Sequence, residues 1–300
     1  MDKKPMKNLH LEHPEDLILE GHFSVFGILY GNAHISLKID GAPSIVFGTN
    51  PENGKFFVGT KSVFNKKKIK ICYKVADIEE LYNKVTHGSL IEVLTACLLY
   101  LPRIDGIIQG DFIGFGGSNI YKPNTLTYHF PEVVQEQLII APHTFYTTET
   151  TMQDAIASPL MTQLEDDDRV KWIQPSVDRV HKGAEAPNLL KDSINFLTPN
   201  EAKEAKKSIN YLIRNNIELT DSNLFDILGC NQLVNLYQLV IELKKEVMQS
   251  LIVYDAPKCV LEGSTIIGEG FVMHSDYGSI KLVDREEFAY ANFNHGRFQR

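Results

Sequence analysis

A lysine, an acid and a glycine stand together at Lys38-Ile39-Asp40-Gly41, between two β-like runs at Ala33–Leu37 and Pro43–Gly48. A lysine amine is a nucleophile only when neutral. Its ordinary pKa near 10.4 must therefore fall, through burial or a neighbouring positive charge, before it attacks at neutral pH. Lys281, in the β-like run Ser279–Val283, is a cation that can lower it and also steady a phosphate oxygen. Glu269, between Gly268 and Gly270, is the residue type that holds Mg²⁺ against substrate phosphates. A nitrogen nucleophile, a metal-associated carboxylate and a phosphate-facing cation are the parts that nucleotidyl transfer requires.

Elements must position these residues. Residues 31–64 read as a β-meander in which Ser44–Gly48 and Lys55–Thr60 flank the turn cluster Asn50-Pro51-Glu52-Asn53-Gly54. Helical periodicity takes over at 77–101, with Ile78, Leu81, Tyr82 and Val85 on one face. Strand patterns return at Gly106–Ile113, Thr125–Phe130 and Gln137–Ala141. From about 150 the texture changes again: Glu165–Asp168 and Pro175 mark loop, and helices follow. Thr198-Pro199-Asn200-Glu201 predicts a helix start with an N-cap, a proline at N1 and a capping box. Asp221 and Gln232–Leu251 predict two more helices, broken at Gly229. Glu269–His274 and Ser279–Val283 flank Ser275-Asp276-Tyr277-Gly278 and predict a hairpin that brings Glu269 and Lys281 to one sheet face.

The order of these motifs resembles the covalent nucleotidyltransferase superfamily, the ATP-dependent DNA and RNA ligases and the mRNA capping enzymes. The motifs are Lys38–Gly41, Thr60-Lys61-Ser62, Gln109-Gly110-Asp111-Phe112, Glu269-Gly270-Phe271-Val272 and Ser279–Val283. The likeness covers residues 31–130 and 262–288. It implies an α+β fold: an antiparallel, β-rich nucleotidyltransferase core of the ATP-grasp-like ligase type, with an inserted helical subdomain. Residues 1–150 are then the first part of the core, 151–255 the helical insert and 256–300 the C-terminal hairpin of the core. Few residues follow Lys281, too few for the OB domain of DNA ligases and capping enzymes. This favours a compact RNA-ligase-like form, a kind often phage-encoded.

The resemblance also implies roles. Lys38 would attack the α-phosphorus of ATP, with Lys281 assisting and Glu269 associated with Mg²⁺. Asp40 and Gly41 would shape the turn, glycine by tolerating backbone angles that other residues resist. Lys61 and Asp111 would contact ribose or phosphate, Asp111 standing where the family usually has glutamate. Phe130, with Tyr128 in reserve, would stack on adenine, a contact that contributes about 1–3 kcal/mol per base. Partners would be nucleic-acid ends, a 5′-phosphate and a 3′-hydroxyl, together with whatever the helical insert binds. One departure stands out: the family's last motif carries two lysines, whereas here Lys281-Leu282-Val283-Asp284-Arg285 has one, and Arg285 is its nearest replacement. The departure leaves open a decayed scaffold that binds without catalysis; GTP in place of ATP would make a guanylyltransferase.

Composition bounds these readings. The chain of 300 residues is 43% hydrophobic and 23% charged, enough for a sizeable core. A formal net charge of −8 argues against a protein that coats nucleic acid uniformly, although Lys61, Lys66, Lys67, Lys68 and Lys70 crowd one stretch. The four cysteines are scattered without a CxxC pair, as expected of reduced thiols. The residues after Met1 show no apolar signal segment, and no run of about 18 apolar residues would span a membrane. The expected compartment is the cytoplasm, a host's if the source is viral. His10 and His13, before Pro14-Glu15-Asp16, lack further ligands and read as an ordinary loop and not a metal site. Gly114-Phe115-Gly116-Gly117 lacks the following Lys-Ser/Thr of a P-loop, and no Gly-x-Ser-x-Gly elbow occurs.

Overall fold

The computed structural model describes residues 11–180, 194–286 and 288; His10 lies outside them. In chain order the elements open with α1 (Pro14–Ile18), α2 (Ser24–Tyr30), β1 (His34–Lys38), β2 (Ser44–Thr49), β3 (Phe56–Gly59), β4 (Ile71–Cys72), α3 (Val75–Leu81) and α4 (Lys84–Tyr100). Then come β5 (Ile107–Phe115), β6 (Ile120–Tyr121), β7 (Leu126–His129), β8 (Leu138–Thr147), β9 (Ile156–Pro159), β10 (Val170–Trp172) and β11 (Ser176–Arg179). The last third holds α5 (Pro199–Arg214), α6 (Asp221–Leu228), α7 (Asn231–Gln249), β12 (Leu251–Tyr254), β13 (Lys258–Leu261), β14 (Ser264–Ile266), β15 (Gly270–Ser275) and β16 (Gly278–Leu282). The class is mixed α+β with largely antiparallel sheets.

The described residues divide into two compact units: 39–174 and 256–265 form the first, and 11–38, 175–180, 194–255, 266–286 and 288 the second. The first is built on a seven-stranded sheet in the order β10-β8-β5-β2-β3-β4, with β9 also on β8. Every pair is antiparallel except β10 on β8. Side chains alternate across a strand, so β2 sends Ile45 and Phe47 to one face and Val46 to the other. The first face joins Ile78, Tyr82, Leu94 and Cys97 of the α3–α4 region in a core. The second packs on Phe57, Val63, Ile107 and Tyr146. A smaller sheet, β14-β13-β7-β6, completes this unit.

The second unit combines α1, α2 and α5–α7 with the three-stranded sheet β1-β15-β16 and the β11-β12 pair. Helix α5 starts as its sequence requires: Thr198 Oγ1 accepts from the Glu201 amide, and Glu201 accepts in return from the Thr198 amide at 2.8 Å. Gly229 ends α6 at φ 68°, the left-handed cap that glycine adopts without steric cost.

Several expectations are corrected. β1 and β2 do not form a hairpin across Lys38–Gly41: β1 pairs with β15 and β2 with β3 and β5, in different sheets. Residues 156–179, within the stretch expected to be loop and helix, carry β9, β10 and β11. Of the expected insert 151–255, residues up to 174 belong to the first unit and those from 175 to the second. Val85 is 93% exposed, because the helical run breaks at Asn83, whose side chain caps α4. Pro14-Glu15-Asp16, after His13, starts α1, with both acids buried. Among the described residues no helix is long and apolar enough to cross a membrane.

Candidate functional site

Three expected site residues lie in the second unit, on or beside one small sheet, where Lys38 contacts Glu269. Lys38, the last residue of β1, pairs in register with Gly270 of β15, and Lys281 of β16 pairs with Val272. Alternation then places Lys38 and Lys281 on the same face, on the order of 12 Å apart at their Cα atoms given the usual strand spacing and rise. Two long side chains bridge much of that distance. Lys38 Nζ forms an ion pair with the Glu269 carboxylate, the two side chains being 25% and 15% exposed. The opposite face is apolar and buried: Leu37, Phe271, Met273, Ile280 and Leu282. The period of two that buries these five obliges their neighbours to face the other way.

Gly270 is needed where it stands. Its φ is 149°, and a Cβ there would come within 2.1 Å of the Leu282 carbonyl oxygen. Close approach of β15 and β16 thus excludes a side chain beside Glu269.

Lys281 has its pKa lowered from the ordinary lysine value. Burial is the main cause, the Lys38 charge adds to it, and Glu12 opposes it. The backbone amide of Lys281 donates to the Glu12 carbonyl at 3.1 Å, so this chain segment flanks β16. Arg285 does not replace the missing second lysine. Its Nη1 donates to Asp16 Oδ1 and its Nη2 to Asn210 Oδ1, both at 2.7 Å, and the residue is only 8% exposed. The guanidinium is committed to a buried network in which Lys244 Nζ donates to Glu15 Oε1 at 2.6 Å and to the Val283 carbonyl at 3.1 Å.

The other expected residues lie in the first unit. The Asp40 backbone is held at both ends by one phenol: Tyr128 Oη accepts from the Asp40 amide at 3.0 Å and donates to its carbonyl at 2.9 Å. Tyr128 is wholly buried, so it is a backbone latch and not the reserve stacking surface. Gly41 serves by size instead of by backbone freedom: a Cβ would meet the Phe112 carbonyl oxygen at 2.4 Å, and its φ is not in the left-handed region. Its amide approaches Asp111 Oδ2 at 3.4 Å.

Asp111, on β5, faces His143 Nε2 at 3.6 Å. Burial by itself raises the Asp111 pKa, but hydrogen bonding and charge from His143, with bonds from Ser44 and the Gly41 amide, bring it net below the ordinary carboxylate value. His143 reaches it because of a bulge: the register passes from Gln109↔Thr144 to Gly110↔Pro142, leaving His143 as the extra residue. Ser44 Oγ accepts from Gln109 Nε2 at 2.8 Å, and Gln109 Oε1 from Tyr146 Oη at 2.6 Å, which extends the network inward. Neither His143 nor this relay was visible as a motif. Pro142 inside a strand is the one sequence signal of the bulge.

Lys61 opens a short 3₁₀ turn, Lys61–Phe64, and is exposed. Phe130 follows β7, half-buried, with its ring edge-on to Tyr121 at 5.6 Å between centroids. The expected set is therefore divided: Lys38, Glu269 and Lys281 in one unit, Asp40, Lys61, Asp111 and Phe130 in the other. Among the described residues no three His, Cys, Asp or Glu side chains gather as a metal cage. Mg²⁺ needs no such cage, since it commonly binds through one or two carboxylates plus substrate phosphates. Glu269 fits that role as a single carboxylate.

A family model described as a family of unknown function (DUF6267) matches residues 8–226 and again 196–297. No curated protein and no solved structure matches the chain. The matched stretches run through both compact units, and the chain belongs to this family, DUF6267.

Proposed function

We propose that the chain is an ATP-dependent polynucleotide ligase working through a lysyl-AMP on Lys38, with RNA the first substrate to test. The observation that carries this reading is the register of β1, β15 and β16, which aligns Lys38 and Lys281 on one face and supplies Glu269 as the partner of Lys38. A lysine ion-paired to glutamate is protonated and does not attack. Glu269 would hold Mg²⁺, whose charge would neutralise phosphate oxygens, and a carboxylate so engaged would hold the Lys38 proton less firmly. Lys38 then loses its proton to solvent. Its nitrogen attacks the α-phosphorus, a P–N bond forms, and the bond to the β-phosphate oxygen breaks to release pyrophosphate. A 5′-phosphate oxygen next takes the AMP from Lys38. A 3′-hydroxyl finally displaces AMP and closes the phosphodiester.

Incubation with α-labelled ATP and Mg²⁺ tests the first step. Covalent label on the wild type and none on Lys38→Ala is the expected result; no label on the wild type, or equal label on both, overturns it. GTP in a parallel tube distinguishes a guanylyltransferase. A second reading, nucleotide binding without transfer, draws support from the engagement of Arg285 with Asp16 and Asn210, which leaves Lys281 without a second cation from its own motif. Saturable nucleotide binding with no adduct would favour it.

A further inference from the structure

The lysine-bearing face of the β1-β15-β16 sheet extends past the two lysines. Opposite Ser36 and Val272, Lys281 completes one row; two residues further along, His34, His274 and Ser279 form the next. His34 and His274 are direct cross-strand partners, whose Cβ atoms stand about 5 Å apart in such a pair. His274 Nδ1 and Ser279 Oγ share a hydrogen bond of 2.5 Å, which fixes the plane of the ring. All three residues are half-buried, neither sealed in the core nor fully solvated. The strands themselves, HISLK, GFVMHS and GSIKL, contain two lysines, two histidines and three serines and not one acid. Such a strip offers hydrogen-bond donors along one face, with Glu269 and Glu12 as the acids beside its two lysines.

Row spacing says what the strip suits. Alternate residues on one strand lie about 6.7 Å apart. That exceeds the gap between adjacent phosphates of a polyphosphate and is comparable to the step between successive phosphates along a sugar–phosphate backbone. We propose that the His34–His274–Ser279 row grips a backbone phosphate of a nucleic-acid strand whose 5′ end lies at Lys38 and Lys281. The inference names the substrate contact of the proposed ligase site and rests on that reading for the position of the end. His34 and His274 are positioning residues, because they touch the strand and not the reacting phosphorus. Burial, and secondarily the neighbouring His274, lowers the His34 pKa, so the ring offers a neutral N–H donor; Ser279 orients its partner.

The test uses the full chain and a 5′-phosphorylated single-stranded RNA oligonucleotide read by fluorescence anisotropy, beside ATP labelling of Lys38. In the His34→Ala/His274→Ala variant, oligonucleotide affinity is expected to fall roughly tenfold or more, the loss typical of hydrogen bonds to a charged oxygen. Labelling by ATP should stay at the wild-type level. His34→Gln/His274→Gln, which keeps N–H donors, should recover most of the affinity, and it serves in place of the alanine pair if that variant does not fold: retained affinity there, with loss in His34→Leu/His274→Leu, supports the grip. Unchanged affinity in the alanine or leucine pair overturns it. A parallel fall of labelling and affinity also overturns it, since the row would then belong to the nucleotide's own site. An unlabelled wild type whose oligonucleotide affinity still depends on the histidines sinks the ligase reading and leaves the phosphate grip standing.

Discussion

Two lysine–glutamate pairs in the second unit have the same chemistry and opposite circumstances. Lys244 and Glu15 are 3% and 1% exposed, and the lysine also donates to the Val283 carbonyl. Lys38 and Glu269 are 25% and 15% exposed, at the end of a strand. A buried pair loses its water on folding and must keep every partner. Around Lys244 the partners interlock, with Arg285 spanning Asp16 and Asn210 and lying 3.6 Å from Glu15. A half-exposed pair costs less to separate, because water compensates each ion as it leaves. The first arrangement ties α1, α7 and the segment after β16 together. The second is the easier of the two to separate.

The contrast can be broken by substitution. Lys244→Met should cost about 3 kcal/mol, because buried Glu15 loses its hydrogen-bonded cation while Arg285 stands farther off at 3.6 Å, and this is read as a lower urea midpoint. Joint replacement, Lys244→Met with Glu15→Leu, should recover much of that loss; a double variant as unstable as the single would contradict this account of Glu15. Lys38→Met should cost at most about 1 kcal/mol in the same urea experiment, while abolishing covalent labelling by ATP. If it destabilises as much as Lys244→Met, the two pairs are not different in kind.

A third carboxylate sharpens the comparison by pH. The folded-state pKa of Asp111 is depressed below 3.8, so its contribution to stability is present above that value. It is lost as pH falls below 3.8 through the depressed value, where the native carboxylate takes up its proton. Asp111→Asn should lower stability at neutral pH, where the carboxylate contributes, and leave the acid end of the profile less changed, so that the acid limb flattens; an unaltered acid limb would remove His143 and Ser44 as its cause. The smallest effect belongs to an exposed helix cap. Thr198→Ala should cost about 1 kcal/mol, as N-cap losses do, and Thr198→Ser should restore it.

Local features were legible in the sequence and remote pairings were not. The turn Asn50–Gly54 predicted the β2–β3 hairpin, Ser275–Gly278 the β15–β16 hairpin and Thr198–Glu201 the start of α5, each because the deciding residues are neighbours. The partner of β1 was not legible, since its own residues favour an extended strand without naming another. The burial of Glu15 and Asp16 depends on Lys244 and Arg285, far along the chain, and no periodicity announces such a match. Arg285 looked like a spare phosphate ligand for the same reason. Of the candidate site, the lysines and Glu269 were readable as motifs; His143, the Tyr128 latch and the histidine row emerge only from register and bulge.

The pairing of β1 with β15 has a consequence for synthesis on the ribosome. Lys38 and Glu269 are separated by 231 positions. At about 5–20 residues per second, β1 waits on the order of 10 to 50 seconds before its partner strand is made. During that interval it is a nascent strand with unpaired amides and carbonyls, open to pairing with the wrong chain. The segment bearing the proposed nucleophile is thus translated early and completed late, and slowing translation between α7 and β15 should lengthen its exposure to chaperones and to aggregation alike.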